Sequence, residues 1–265
     1  MKKYLVIGNP IEHSFSPKIH NYWFNKNNIK AVYNKRQIYE SDIKEIISTV
    51  RNGKINGINV TVPFKQLVIP FIDELSLEAK KTNSVNTIYK KKNKVVGHNT
   101  DIIGFELAIK RIGYNIKNKK VFILGAGGVV PSIIVALRNI GVAKIILANR
   151  TKKKAEEIKK GFPNIEVLNW GSVPDFNMII NATSVGLKKN DEIKLNLKDC
   201  GVNKFFYDVI YNPVETKFLK KAKESGNKVE NGKMMFVYQA AAAFKIWHGV
   251  EPVINNETLD LLKND

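Results

Sequence analysis

Residues Lys120 to Leu124 form a short apolar run that passes directly into Gly125-Ala126-Gly127-Gly128 and then into a helix-like stretch from about Val130 to Ile140. This succession constrains the fold more than any other part of the chain. A brief, unbroken apolar run bounded by glycine reads as a strand buried on both faces, the habit of parallel sheets. A second strand, Lys144 to Ala148, follows the helix and completes a βαβ unit. Helix Lys152 to Lys160, strands Glu166 to Leu168, Met178 to Asn181 and Phe205 to Asp208, and helix Glu215 to Ser225 continue the pattern. Alternation of this kind predicts a doubly wound parallel sheet. Glycines at a strand end let the backbone approach a pyrophosphate, and the following helix offers unpaired N–H groups and the positive end of its dipole. Gly125, Gly127 and Gly128 stand where such a site needs them. The third glycine of the fingerprint would fall at Val130, and an ordinary glycine-rich turn remains the plainer alternative.

The end of the second strand selects the dinucleotide. NAD sites place a carboxylate there for the ribose 2′-hydroxyl. Here the strand runs into Asn149-Arg150-Thr151 and then Lys152, Lys153 and Lys154, with no carboxylate before Glu156. Cations suit a 2′-phosphate that a carboxylate would repel. They also oppose the dipole at a helix N-terminus, so a purely structural reading leaves them slightly unfavourable. The residues therefore point to NADP(H).

The first hundred residues also alternate strands and helices. Strands are predicted over Tyr4 to Gly8, Tyr33 to Ile38, Gly57 to Val62, Ser84 to Tyr89 and Lys94 to His98, and helices over Pro17 to Asn27 and Ser41 to Arg51, the latter capped by Ser41. A helix from Asp101 to Ile112 leads into the glycine-bearing region. An Ala-rich apolar helix from Met234 to Trp247 and a short helix from Glu257 to Lys263 close the chain. Polar groups gather just past the early strand ends: Ser14 and Ser16, then Thr61 and Lys65, Asn86, and Asn99-Thr100-Asp101. Ligands of open α/β sheets bind at such ends. Hydroxyls and amides there suit a hydroxyl-rich substrate. Lys65 and Asp101 are the pair able to stabilise and protonate a developing alkoxide. On spacing alone, an exposed lysine and a helix cap are equally good descriptions of them.

The chain carries 43 Lys and Arg against 24 Asp and Glu, a formal charge of +19. Arg36, Arg51, Arg111, Arg138 and Arg150 are its arginines, and the other cations are scattered lysines. Nucleic-acid sites favour Arg for its planar fork, so the excess reads as compositional drift rather than a nucleic-acid surface. Cys200 is the single cysteine, so no intrachain disulfide is possible. The four histidines lack metal-ligand spacing, and no metal is expected. No apolar run reaches the roughly 18 to 20 residues of a membrane span. With no secretory signal at the N-terminus, a cytoplasmic protein without membrane partners is expected.

Taken together, the motifs resemble the shikimate dehydrogenase family. They are Gly8-Asn9-Pro10-Ile11 with His13-Ser14-Phe15-Ser16-Pro17, Asn59-Val60-Thr61-Val62-Pro63-Phe64-Lys65, Asn83-Ser84-Val85-Asn86-Thr87, Gly97-His98-Asn99-Thr100-Asp101, Gly125-Ala126-Gly127-Gly128, Asn149-Arg150-Thr151, Asn181-Ala182-Thr183-Ser184-Val185-Gly186, Asp208-Val209-Ile210-Tyr211-Asn212-Pro213, and Gly232 with Met235 and Gln239-Ala240. Each alone is weak; the ordered set is specific. The resemblance implies an α/β protein of two domains: an N-terminal substrate domain (1–101 with 235–265) and a Rossmann-type NADP-binding domain (102–234), the C-terminal helices returning to the first. It implies Lys65 and Asp101 as the catalytic pair and Ser14, Ser16, Thr61, Asn86, Tyr211 and Gln239 as substrate ligands. Gly125, Ala126, Gly127, Gly128, Val129, Asn149, Arg150, Thr151, Lys154, Val209 and Gly232 would line the NADP(H) site, with Met235 facing the nicotinamide. Lys154 stands where an Arg is common, and Val129-Val130-Pro131 replaces smaller residues.

The implied reaction is the reversible reduction of 3-dehydroshikimate to shikimate by NADPH, on the route to aromatic amino acids, in a monomer or homodimer without a nucleic-acid partner. An NAD-linked quinate or shikimate dehydrogenase is one alternative. A non-catalytic anion- or nucleic-acid-binding protein on the same fold is another. His13 and His98 receive no chemical role, and Met234, Phe236, Tyr238 and Phe244 read as core.

Overall fold

The computed structural model describes residues 1–188, 190–197 and 200–263. Residues 264 and 265, the end of the anticipated C-terminal return, lie outside the described residues. The chain divides into two compact units, Met1–Gly104 with Val237–Asp265, and Phe105–Phe236. The passages between them, at 104/105 and 236/237, fall inside helices.

The first unit is built on a mixed sheet. Its strands are β1 (Lys2–Gly8), β2 (Ala31–Gln37), β3 (Gly57–Val60), β4 (Glu74–Leu75), β5 (Thr87–Lys91) and β6 (Lys94–His98), in the order β2-β1-β3-β5-β6-β4. The pairings β2-β1, β1-β3 and β4-β6 are parallel, and β5 runs antiparallel to both β3 and β6. Side chains alternate across β1. Leu5 and Ile7 join the core beneath α2 (Ile43–Arg51), whose Ile43, Ile46, Ile47 and Val50 are all buried. Burying each such aliphatic contributes about 1.5–3 kcal/mol, so Ile47→Asp would break this layer. Tyr4 meets Phe24 of α1 (Ser16–Lys26) on the aromatic side.

Local chemistry shifts several expected boundaries. Ser41 does not cap α2. A 3-10 turn over Glu40–Asp42 precedes it, the Tyr39 N–H donates to Asp42 Oδ2 at 2.8 Å, and Asp42 takes the N-cap position. The Asp42 carboxylate thus serves the 3-10 turn and makes no side-chain cap bond to α2. β3 stops at Val60 because the next residues turn, with Phe64 N–H donating to Thr61 O at 3.0 Å. β5 starts at Thr87, not Ser84. The unexpected α3 (Leu77–Thr82) occupies part of the preceding stretch, its N-terminus capped by Ser76 Oγ accepting from Ala79 N–H.

The second unit follows α4 (Asp101–Ile112), which begins in the first. Its strands β7 (Lys120–Leu124), β8 (Lys144–Ala148), β9 (Glu166–Leu168), β10 (Met178–Asn181), β11 (Phe205–Asp208) and β12 (Lys228–Glu230) stand in the order β12-β11-β10-β7-β8-β9, all parallel. That is the doubly wound order of Rossmann-type dinucleotide domains. Helices α5 (Val130–Ile140), α6 (Lys152–Gly161) and α7 (Lys217–Glu224) connect the strands. α5 carries proline in its first turn, where no N–H is needed, and ends at Gly141 in the left-handed region (φ +87°). Val130, in place of the third fingerprint glycine, is fully buried at the start of α5.

The chain then returns through α8 (Lys233–His248) and α9 (Asn256–Asp260). Within the first unit, Phe244 and Trp247 of α8 complete the aromatic side of the core, with Tyr4 and Trp247 rings 4.8 Å apart. Trp247 Nε1 donates to Ile88 O at 3.3 Å. A Cβ on Gly57 would lie 2.5 Å from that nitrogen, so the indole fits only because residue 57 is glycine.

Candidate active site

Each sheet has a point where the strand order reverses between parallel neighbours, and ligands of open α/β sheets bind outside the carboxyl ends of the strands at such points. In the first unit the reversal lies between β1 and β3. Gly8 ends β1, and a Cβ there would lie 2.5 Å from Thr61 Cγ2, just past β3. The loop after β1 carries Ser14 and Ser16, whose hydroxyls are 3.2 Å apart. The turn after β3 carries Thr61 and Lys65.

Lys65 is not an exposed lysine. It is 9% exposed, Asp101 is 5% exposed, and Lys65 Nζ lies 2.6 Å from Asp101 Oδ2. Nor is Asp101 merely a cap. The first helical bond of α4 goes from Gly104 N–H to Thr100 O, which leaves the Asp101 carboxylate to face the lysine. Its second oxygen, Oδ1, accepts from Asn86 Nδ2 at 2.9 Å, and its backbone N–H donates to Asn99 Oδ1 at 3.0 Å. Asn86 is itself held through Oδ1, which accepts from the Thr100 N–H at 2.8 Å and from Thr87 Oγ1 at 3.0 Å. Gln239, late in the sequence, places Oε1 at 3.5 Å from Asn86 Nδ2. Buried charges persist when paired and hydrogen-bonded, and these are. A lysine oriented this way can give a proton to an oxygen that becomes negative, or receive one from a hydroxyl.

The structure thus gathers Lys65, Asp101, Asn86 and Gln239 into one bonded group and pairs Ser14 with Ser16. Tyr211 belongs to the second unit, where its ring stacks on Phe236 at 4.6 Å. Asn59 had no role assigned from the sequence, yet its amide donates to Asn86 O and Thr87 Oγ1, each at 3.1 Å, and its Oδ1 accepts from the buried Tyr33 hydroxyl at 2.7 Å. The signal for Asn59 was its place in the motif at a strand end; Tyr33 read only as an aromatic in a strand. His98 is half-buried, with Nε2 3.4 Å from Glu78 Oε2, and burial lowers its pKa. His13 is exposed.

In the second unit the reversal lies between β7 and β10. Gly125 has φ +111°, and a Cβ there would lie 2.7 Å from Ala182 O at the end of β10. Its N–H donates to Ala148 O at 2.8 Å, which ties the glycine turn to the end of β8. Gly127 has nothing nearer its Cβ position than Ala182 O at 3.9 Å, so this backbone offers an approachable face. The N-cap residue of α5, Val129, makes no side-chain cap hydrogen bond. At the end of β8, Asn149 Nδ2 donates to Thr151 O at 2.8 Å, and Arg150, Thr151 and Lys154 are exposed. Val209 and Gly232 are adjacent, joined by the Gly232 N–H donating to Ile210 O at 3.1 Å. A glycine cradle, a helix start whose N-cap is an apolar valine and exposed cations at the neighbouring strand end fit a dinucleotide with a 2′-phosphate. Met235 is buried, as are Met234, Phe236 and Phe244.

A Rossmann-type unit joined to an α/β unit carrying a buried Lys–Asp pair defines a two-domain oxidoreductase architecture. Three family models match the chain: shikimate dehydrogenase substrate binding domain over residues 6–88, shikimate/quinate 5-dehydrogenase over 106–188, and shikimate 5′-dehydrogenase C-terminal domain over 235–252. The shikimate dehydrogenase (NADP(+)) of Pelagibacter ubique is 58% identical over 261 residues, 98% of each chain. The crystal structure of shikimate dehydrogenase from Aquifex aeolicus matches with TM-score 0.90 and 38% identity, covering 100% of this chain and 98% of that one. The structure of shikimate 5-dehydrogenase from Thermus thermophilus in complex with NADP(H) and shikimate matches with TM-score 0.89 and 28% identity, covering 99% and 98%. The chain belongs to the shikimate dehydrogenase family. Among the described residues, no helix is long and apolar enough to cross a membrane.

Proposed function

We propose that the protein is an NADP-dependent shikimate dehydrogenase, which interconverts 3-dehydroshikimate and shikimate. The observation that carries this reading is the buried Lys65–Asp101 pair, 2.6 Å apart and clamped by Asn86, in a chain of this family. NADPH, when bound, supplies the hydride that reduces the ring ketone. Lys65 Nζ hydrogen-bonds the ketone oxygen and passes it a proton as negative charge builds there. Asp101 fixes the direction of the lysine side chain, Asn86 holds Asp101, and Asn86 and Gln239 bind the ring hydroxyls. In the reverse direction the same pair receives the proton of the hydroxyl being oxidised.

Ser14 and Ser16, with Thr61, hold the substrate's carboxylate and neighbouring hydroxyl, and Tyr211 is a further ligand of the substrate. Gly125, Ala126, Gly127, Gly128 and Val129 carry the pyrophosphate; Asn149, Arg150, Thr151 and Lys154 take the 2′-phosphate; Val209 and Gly232, with Met235, flank the nicotinamide. The enzyme acts in the cytoplasm as a monomer or homodimer, its scattered lysines a solvated surface rather than a nucleic-acid site.

The test is nicotinamide absorbance with shikimate or quinate, each offered with NADP⁺ or NAD⁺. Turnover with shikimate and NADP⁺ far above the other pairs is the expected result. A preference for NAD⁺ or quinate would overturn the cofactor or substrate assignment while leaving the fold. Folded protein without turnover on any pair would sink the enzymatic reading.

A further inference from the structure

The strand order of the second sheet puts the end of β8, with its cations, on one side of the reversal and the ends of β10 and β11 on the other. A dinucleotide lies across such a crevice, one nucleotide to each half of the sheet. With the 2′-phosphate assigned to the cations after β8, the other nucleotide falls to the ends of β10 and β11.

Asn181 and Asp208 are the last residues of those two strands and are paired in register. Both are fully buried. Three neutral donors converge on the Asp208 carboxylate. Asn181 Nδ2 and the Ile210 N–H reach Oδ1, each at 3.0 Å, and Thr216 Oγ1 reaches Oδ2 at 2.7 Å. An amide offers one acceptor oxygen where the carboxylate offers two. Burial pushes the acid up to about 6, so keeping it charged at neutral pH lowers stability. Its bonds show what it does instead. Ile210 and Thr216 lie at either end of the segment that carries Tyr211 and leads into α7. The Val209 N–H donates to Asn181 O at 2.9 Å, and the Gly232 N–H closes on Ile210 O. Asn181 in turn grips the loop after β10. Its Nδ2 also donates to Val185 O at 3.1 Å, and its Oδ1 accepts from the Thr183 N–H at 3.0 Å and from Thr183 Oγ1 at 2.7 Å.

We infer that Asp208 is a positioning residue of the cofactor site: through Asn181, Ile210 and Thr216 it holds the loops after β10 and β11, and with them Val209, at the nicotinamide half of the crevice. The inference rests on the reading that Val209 and Gly232 flank the nicotinamide.

The experiment titrates full-length protein with NADPH and, separately, with adenosine 2′,5′-bisphosphate, which carries the 2′-phosphate and lacks the nicotinamide. Calorimetry gives the affinities, and thermal unfolding is followed in parallel. Asp208→Ala leaves all three donors without their acceptor. Its Kd for NADPH should rise about tenfold, while that for the bisphosphate stays within about twofold. Asp208→Asn keeps an oxygen for Asn181 and Ile210, and its NADPH affinity should lie within about threefold of the wild type. Asn227→Ala is the control for stability. Asn227 is buried at the other end of the same sheet, where its Oδ1 accepts from the Lys204 N–H at 2.9 Å. This variant should melt earlier and bind both probes within about twofold of the wild type. If Asp208→Ala does not fold, Thr216→Val, which keeps the volume and removes the Oδ2 partner, should weaken NADPH alone by about threefold.

Equal loss of both probes in the Asp208 or Thr216 variant would make the carboxylate a support of the fold only and overturn the inference. So would a loss confined to NADPH in Asn227→Ala as large as that in Asp208→Ala. Unchanged NADPH binding in the Asp208 or Thr216 variant, beside weakened binding in Gly232→Ala, would overturn it and leave the nicotinamide reading standing. Unchanged NADPH binding in Gly232→Ala would remove that reading, and the inference with it.

Discussion

Gly232 is packed so closely against Val209 that a Cβ on the glycine would lie 2.0 Å from the Val209 carbonyl oxygen. Real Cβ atoms do not approach that near, and the obstacle is backbone, so it cannot turn aside. Gly232→Ala should therefore push apart the two loops assigned to the nicotinamide. Overpacking of this kind costs about 1–3 kcal/mol, visible in a thermal melt. NADPH binding followed by cofactor fluorescence should weaken about tenfold, or about 1.4 kcal/mol, while the shikimate KM changes little. Native-like cofactor affinity would remove these loops from the site.

Lys65→Ala should lower kcat by about 10²- to 10⁴-fold, the usual worth of a positioned acid or base, with the shikimate KM within about threefold. A rise in KM alone would make Lys65 a binding group. Asp101→Asn leaves a buried ammonium without its counter-ion, which costs about 3–5 kcal/mol. That variant should lose stability as well as turnover, which separates its role from that of Lys65 in a paired melt and rate assay.

Arg150 is exposed at the end of β8, with Lys154 one helical turn further on. Arg150→Ala should raise the KM for NADP⁺ about 10- to 100-fold, as expected for a lost charge-assisted hydrogen bond, and leave the weak use of NAD⁺ unchanged. Equal losses with both coenzymes would mean that Arg150 supports the fold and not the 2′-phosphate.

Buried histidine sets an acid limit on stability. Burial, reinforced by the nearby His248, pulls the His20 pKa down to about 3 from its ordinary 6.5. Below pH 6.5 the unfolded chain takes up a proton that the native chain refuses. Stability therefore falls as pH drops toward 3, with a slope approaching about 1.4 kcal/mol per pH unit. Asp208 works the other way. Burial raises it to about 6 against hydrogen bonds from Thr216, Ile210 and Asn181, so between about 4 and 6 the native state holds the extra proton and gains stability as pH falls. Urea unfolding at about pH 7, 5.5 and 4.5 should show His20→Phe gaining on the wild type as the pH drops. Parallel curves would show that His20 does not set the limit.

The second unit was the more legible part of the fold. β7, α5 and β8 occupy the residues expected of them, because strands buried on both faces are unbroken apolar runs, with a glycine turn closing β7 and Gly141 closing α5. β4, β12 and α3 were missed: two or three edge residues and a six-residue helix carry too little periodicity to register. Ser41 looked like a cap because serine before an Ile-rich stretch usually is one, but a 3-10 turn takes Ser41 in ahead of α2.

In the site, Lys65 and Asp101 could be singled out as reactive types, but only tertiary structure decides that both are buried and face one another. Asn59 was visible in its motif without a partner. Tyr33 was invisible as a polar residue, since its place in β2 says nothing of what meets its hydroxyl.

The return of α8 to the first unit also bears on the order in which the protein can be completed. Residues 105–236 are contiguous, so the second unit has all its parts once the ribosome has passed them. The first unit, though begun earlier, waits for Phe244 and Trp247 to fill the aromatic side of its core and for Gln239 to reach Asn86. Domains that complete themselves during synthesis fold in N-to-C order; here residues 105–236 can finish first, and the nascent first unit stays open, with Gly57 awaiting its indole, until α8 has been made.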